Sequence, residues 1–260
     1  MREKIALFGG IYNNYLALEE AVRDARSRGV DGIYSLGDLG AFGPHPDRVF
    51  PVLTKYQIPV VQGNYDHSVG NNISDCQCGY TDPRDNTFAK ISYDYTYRNT
   101  SEQNRRWLKD LPQEIRFNLG KYRVLLCHGS PRRMNEFLWE STTSTHFLNK
   151  LCRDYGADII CATHTGIHWH RELPGDKYFV NVGVIGRPEN NGHTHVGYTI
   201  IEIKGKPVIS YLPVEYDYRR LAAEMREQKL PEEFIETIVT GWWTACLEIL
   251  PSKERRKGKF

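Results

Sequence analysis

Short apolar runs alternate with helical patterns through the first half of the chain, and this alternation limits the fold more than any other feature. Ile5 to Phe8, Gly32 to Leu36 and Ile58 to Val61 read as strands, and Tyr15 to Ser27 and Pro46 to Tyr56 read as the helices between them. Strands separated by helices form the βαβ arrangement of a sheet with parallel strands, so the expected fold class is α/β.

After Asp66 the pattern breaks into a polar, Gly- and Asn-rich stretch through Asp85, which is expected to be a long loop. Two helical segments follow, the second opening at Ser101 with Trp107, Leu108 and Leu111 on one side, and residues 68–112 are expected to cap a site. Strand patterns return at Arg123 to Cys127, Asp158 to Cys161, Lys177 to Val182, Tyr198 to Ile203 and Val208 to Leu212, with a helix near Thr145 to Tyr155. The later strands come without helices, which predicts a mixed second sheet packed on the first. The main domain is therefore expected over 1–215. A helical appendage follows over 216–260, its second helix opening at Pro231 and containing Trp242 and Trp243, and Ser252 to Phe260 form a basic, solvated tail.

Charge and cysteine usage narrow the partners. The 260 residues carry 34 basic and 32 acidic side chains, net +2, so no nucleic-acid surface is indicated by the total. No apolar run is long enough to span a bilayer and no secretory signal is apparent. The six cysteines lack a regular framework spacing, and a reduced, cytoplasmic protein is expected. Cys76 and Cys78 are spaced C-x-C, one residue short of a zinc-type C-x-x-C pair, and no second pair with matching spacing follows.

Four polar side chains follow apolar strand patterns almost at once: Asp38, Asn64, His128 and His164. Strand carboxyl ends in an open α/β sheet face one crevice, where residues distant in sequence converge. One carboxylate, one amide oxygen and two imidazoles make a mixed O/N donor set that suits one divalent transition metal, Mn, Fe, Zn or Ni, better than Ca. Singly, each has an ordinary explanation as a turn residue or a histidine satisfied by a carbonyl. Together, at four strand ends, they point to a metal site.

The ordered set Gly37-Asp38 with Gly43-Pro44, Gly63-Asn64-Tyr65-Asp66, His128-Gly129-Ser130-Pro131, His164-Thr165 and Asn181-Val182-Gly183 resembles the calcineurin-like metallophosphoesterases, in particular a bacterial branch with a G-N-Y-D motif. The resemblance runs from about Lys4 to Pro213. It implies two mixed β-sheets sandwiched between helices and a dinuclear site at the strand ends. It also implies that Asp38 corresponds to the aspartate bridging two metals, and that Asn64, His128 and His164 complete the shell of one. The other metal takes an Asp and a His from an opening S-D-x-H-x-N motif and the second His of G-H-T-H. Here those positions read Gly10, Tyr12 and Gly166. All three private ligands of one metal are replaced and all four of the other remain, so a mononuclear site is expected, beside volume that a substrate group, an organic ligand or the Tyr12 ring can fill.

The literal Gly192-His193-Thr194-His195 follows the Asn181 to Pro188 segment, which places it in the next loop rather than at the family's G-H-T-H motif. His193 and His195, and likewise His168 and His170 in a probable strand, stand as alternative ligands. Tyr65 occupies the place of the family's acidic histidine, and Tyr12, Tyr65, Asp66 and His67 are the candidates for proton transfer. Asn14 and Arg187 are assigned to substrate binding, Arg187 for a phosphate or carboxylate. The function expected is a divergent phosphoesterase acting on a small phosphorylated substrate or a phosphoprotein. The alternatives are a non-hydrolytic enzyme that reuses the site for a metabolite and an inactive binding or regulatory module.

Overall fold

The computed structural model describes residues 2–255, so the last five residues of the expected basic tail lie outside the described chain. The elements run β1 Lys4–Phe8, α1 Tyr15–Ser27, β2 Gly32–Ser35, a 3-10 turn Pro46–Arg48, α2 Val49–Lys55, α3 Asn64–Gly70, α4 Pro83–Asn99 and α5 Glu102–Lys109. They continue with β3 Ile115–Leu119, β4 Tyr122–Leu126, α6 Thr145–Asp154, β5 Ile159–Ala162, β6 His168–Leu173, β7 Lys177–Val182, β8 Val196–Lys204 and β9 Lys206–Val214. Helices α7 Tyr218–Glu227, α8 Glu232–Thr240 and α9 Ser252–Arg255 follow.

Two mixed sheets result, one in the order β2-β1-β8-β9 and one in the order β3-β4-β5-β7-β6. Strand alternation builds the layers: Ile5 and Leu7 of β1 face Val124 and Leu126 of β4 and Ile159 and Cys161 of β5 between the sheets. Ala6 and Phe8 point the other way, into a core shared with Leu18, Ala21, Val22 and Ala25 of α1 and with Leu221 and Phe234 of the C-terminal helices. Leu125 and Ile160 pack outward on Leu148 and Leu151 of α6. Helix, sheet, sheet and helix therefore stack as four layers. The spacing of the buried α1 side chains is the i, i+3, i+4, i+7 stripe of a helix with one apolar face.

Several elements differ from the sequence expectation. Ile58 to Val61 forms no strand but a single parallel bridge between Ser35 and Val60; Pro59 has no N–H to give a ladder. The stretch from Asp66 to Asp85 is shorter as a loop than expected, because α3 carries the chain to Gly70 and α4 starts at Pro83. Strands β8 and β9 extend the first sheet, through β8 antiparallel to β1, rather than joining the second. Strand β3 was not anticipated, although Ile115, Phe117 and Leu119 alternate before Gly120 and pair antiparallel with β4. Trp242 and Trp243 lie beyond α8, which ends at Gly241 in the left-handed conformation (φ 73°), the usual helix stop. No helix among the described residues is long and apolar enough to cross a membrane.

Candidate metal centre

Asp38 follows β2, His128 follows β4 and His164 follows β5, so three parallel-strand ends deliver them to one place. Their ligand atoms all lie within 4.8 Å of one another, and all three residues are buried. His128 Nε2 is 3.2 Å from Asp38 Oδ2 and 3.2 Å from His164 Nδ1. The His128 Nδ1–H donates to the Leu36 carbonyl at 2.6 Å, which fixes the ring and turns Nε2 toward the centre. Asp38 and His164 both adopt left-handed backbone, φ 55° and 68°, a costly conformation for side-chain-bearing residues that concentrates at functional sites.

The loop carrying Asn64 is bound to the Asp38 loop. A Cβ on Gly63 would lie 2.3 Å from Asp38 Oδ1, so only glycine permits this approach. Tyr65 N donates to Asp38 Oδ1 at 3.0 Å. Asn64 opens α3 rather than ending a strand. Its Nδ2 donates to the Cys76 carbonyl at 2.8 Å and the Cys78 sulfur at 3.4 Å, and its buried Oδ1 has no hydrogen-bond partner among the described residues. A buried acceptor left without a protein partner calls for some other partner, and a metal ion fits that role. Cys76 and Cys78 are joined as a disulfide, so this pair departs from the all-reduced expectation; the other four cysteines are free and buried.

Electrostatics agree with ligation. Burial opposes ionisation of Asp38, but His128 and the Tyr65 N–H outweigh it and hold the carboxyl below its usual range. Burial, then His128, pushes His164 down to about 3, so this ring is neutral near pH 7 with a lone pair to give. Burial would lower His128, but the Asp38 carboxylate raises it above its usual range. The donor set fits a divalent transition metal, with Asp38, Asn64, His128 and His164 to hold it.

The remaining candidates divide by placement. Asp66 accepts backbone N–H groups from Asp38 at 2.8 Å, Leu39 at 3.0 Å and Gly63 at 2.8 Å, stitching two ligand loops together; burial, then Asp38, raises its carboxyl to about 6. Tyr65 turns its phenol to Ser92 Oγ at 3.0 Å on α4. His67 sits outside, next to Gln62 and Asn71. Asn14 caps α1 through Ala17 N at 3.0 Å and donates to the Gly186 carbonyl at 3.1 Å, which uses its amide at both ends. His168 bonds Glu189 at 2.6 Å and stacks on Tyr211. His193 and His195 stack on each other, and neither they nor His168 and His170 join the ligand cluster.

Beside the centre, the positions of Gly10 and Gly166 are filled by rings. A Cβ on Gly10 would meet the Tyr12 ring at 2.5 Å, and one on Gly166 would meet Trp243 at 2.9 Å. Tyr12 is buried, and burial raises its phenol pKa. Trp243 was not singled out from sequence as a site residue. A run of two tryptophans just past a helix-ending glycine is the signal that could have found it.

A four-layer α/β frame that presents a carboxylate and two imidazoles at its strand ends has the architecture of metal-dependent phosphoesterases. The chain belongs to the calcineurin-like phosphoesterase superfamily, whose domain model matches residues 4–206. It is 25% identical over 257 residues to an uncharacterized protein of Methanocaldococcus jannaschii, covering 93% of this chain and 99% of the other. Its fold is similar to a hypothetical protein from Pyrococcus horikoshii OT3, with TM-score 0.76 and 21% identity over 93% of this chain and 99% of that one. A metallophosphoesterase from Sphaerobacter thermophilus aligns with TM-score 0.69 and 23% identity over 93% and 100%. At those identities the two likenesses speak to the fold.

Proposed function

We propose that the chain is a metal-dependent phosphoesterase working with a single metal ion, held by Asp38, Asn64, His128 and His164, on a small phosphorylated substrate or a phosphoprotein. The observation that carries this reading is the asymmetry of the site: one full donor set, with its Asn64 oxygen unpartnered, beside positions where Gly10 and Gly166 offer no ligand and rings occupy the space.

A bound divalent ion would supply a Lewis acid for a phosphoryl oxygen and lower the pKa of water. The chain's own residues set the rest. Asp66 keeps the Asp38 and Asn64 loops at fixed separation. Burial holds the Tyr12 phenol well above its usual range, which disfavours it as a base. A cavity of about 150 Å³ beside His128 is lined also by Gln113, Glu114, Ser130, Arg132 and Arg133, and Arg132 is already paired with Glu136. The Tyr12 and Trp243 rings take up volume that a metabolite-binding reading needs, which favours the phosphoesterase over that alternative.

The test is hydrolysis of a generic aryl phosphate by the full chain with added Mn²⁺. Turnover is expected in the wild type, slower than in a dinuclear relative, and Asp38→Ala and His164→Ala are expected to fall to background. Turnover that survives both changes contradicts the assignment.

A further inference from the structure

Arg187 is only 6% exposed, yet among the described residues it has no ion pair, and its Nε has no hydrogen-bond partner. It meets aromatic faces instead. Its guanidinium carbon lies 3.5 Å from the ring centroid of Trp243, 4.8 Å from that of Phe42 and 5.9 Å from that of Tyr12. Cation–π contact offsets part of the cost of burying a cation, but it leaves the N–H edge of the guanidinium without acceptors. That planar edge is the group that pairs with two phosphoryl oxygens at once.

Its position gives the edge a purpose. A Cβ at Gly166 would lie 3.6 Å from Arg187 Nη2, and Gly166 follows the ligand His164 by two residues. Trp243 is fixed by its Nε1–H donating to the Pro188 carbonyl at 2.8 Å and its N–H donating to Asn190 Oδ1 at 2.9 Å. It comes from a segment beyond the residues 4–206 matched by the family model. The cation and its aromatic clamp thus pack together against Gly166, two residues past His164.

We propose that Arg187 is the fixed cation of an oxyanion subsite beside Gly166, binding phosphoryl oxygens, with Trp243 holding the guanidinium plane. The nature of the anion rests on the phosphoesterase reading; the subsite itself does not.

Calorimetric titration of inorganic phosphate into the full chain tests it, with the protein loaded with Mn²⁺ and again stripped by a chelator. The wild type is expected to bind phosphate in both states, more weakly when stripped. Arg187→Met is expected to weaken phosphate at least tenfold, to keep the wild-type Mn²⁺ content, and to melt no lower than the wild type without phosphate, because an unpaired buried cation gives way to an apolar chain of similar length. Trp243→Ala, which keeps the charge, and Arg187→Lys, which keeps it without the planar fork, are each expected to lose phosphate affinity less, and either serves if the Met variant fails to fold. Phosphate affinity that is unchanged in Arg187→Met, or in both other variants, overturns the proposal. Phosphate binding lost on Arg187→Met in a protein without aryl phosphate turnover keeps the subsite and removes the phosphoesterase reading. Turnover with unaltered phosphate binding does the reverse.

Discussion

Asp66 Oδ2 accepts the backbone N–H of Asp38 at 2.8 Å, across the gap between two ligand loops. The same carboxylate also takes the Leu39 and Gly63 N–H groups, so three buried donors depend on one side chain. Leaving a buried donor unpaired costs about 1–3 kcal/mol. Asp66→Ala is therefore expected to lower the unfolding free energy by about 3 kcal/mol or more, measured by chemical denaturation, and to loosen the metal. Unchanged stability with lost hydrolysis would instead assign Asp66 to the chemistry.

The ring over Gly166 predicts the outcome of restoring the missing ligands. Gly166 has φ 77° and its Cβ would strike Trp243 at 2.9 Å, so a side chain there is both strained and blocked. Gly10→Asp, Tyr12→His and Gly166→His combined are expected to lower the melting temperature and to gain no second ion. Adding Trp243→Ala is expected to recover part of the stability. A triple variant that binds two ions at wild-type stability would show that the vacated space is not closed.

Histidine count alone would favour the Gly192-His193-Thr194-His195 loop, but its rings stack on each other and its backbone packs on Gly241. His193→Ala with His195→Ala is expected to leave metal content unaltered by elemental analysis. Loss of the ion in that variant would move the metal centre elsewhere.

Much of the fold could be read from strands whose character is local. The runs ending near Asp38, His128 and His164 are apolar and short, and side chains just past such strands converge by topology alone. What could not be read depends on contacts distant in sequence. Val60 pairs only once because Pro59 interrupts the ladder, and β8 joins β1 through a pairing that no local pattern specifies. The place of Asn64 at the start of α3 was not legible, because the run before it reads as a strand. The largest omission was Trp243: Gly241 stops α8 and turns the tryptophan back over Gly166, a tertiary contact that helical periodicity does not encode.

Elemental analysis of the protein after saturation with Mn²⁺ and removal of free ion tests most directly whether the centre has one full ligand set. About one ion per chain is predicted, falling to near zero in Asp38→Ala. Two tightly held ions per chain would contradict the account.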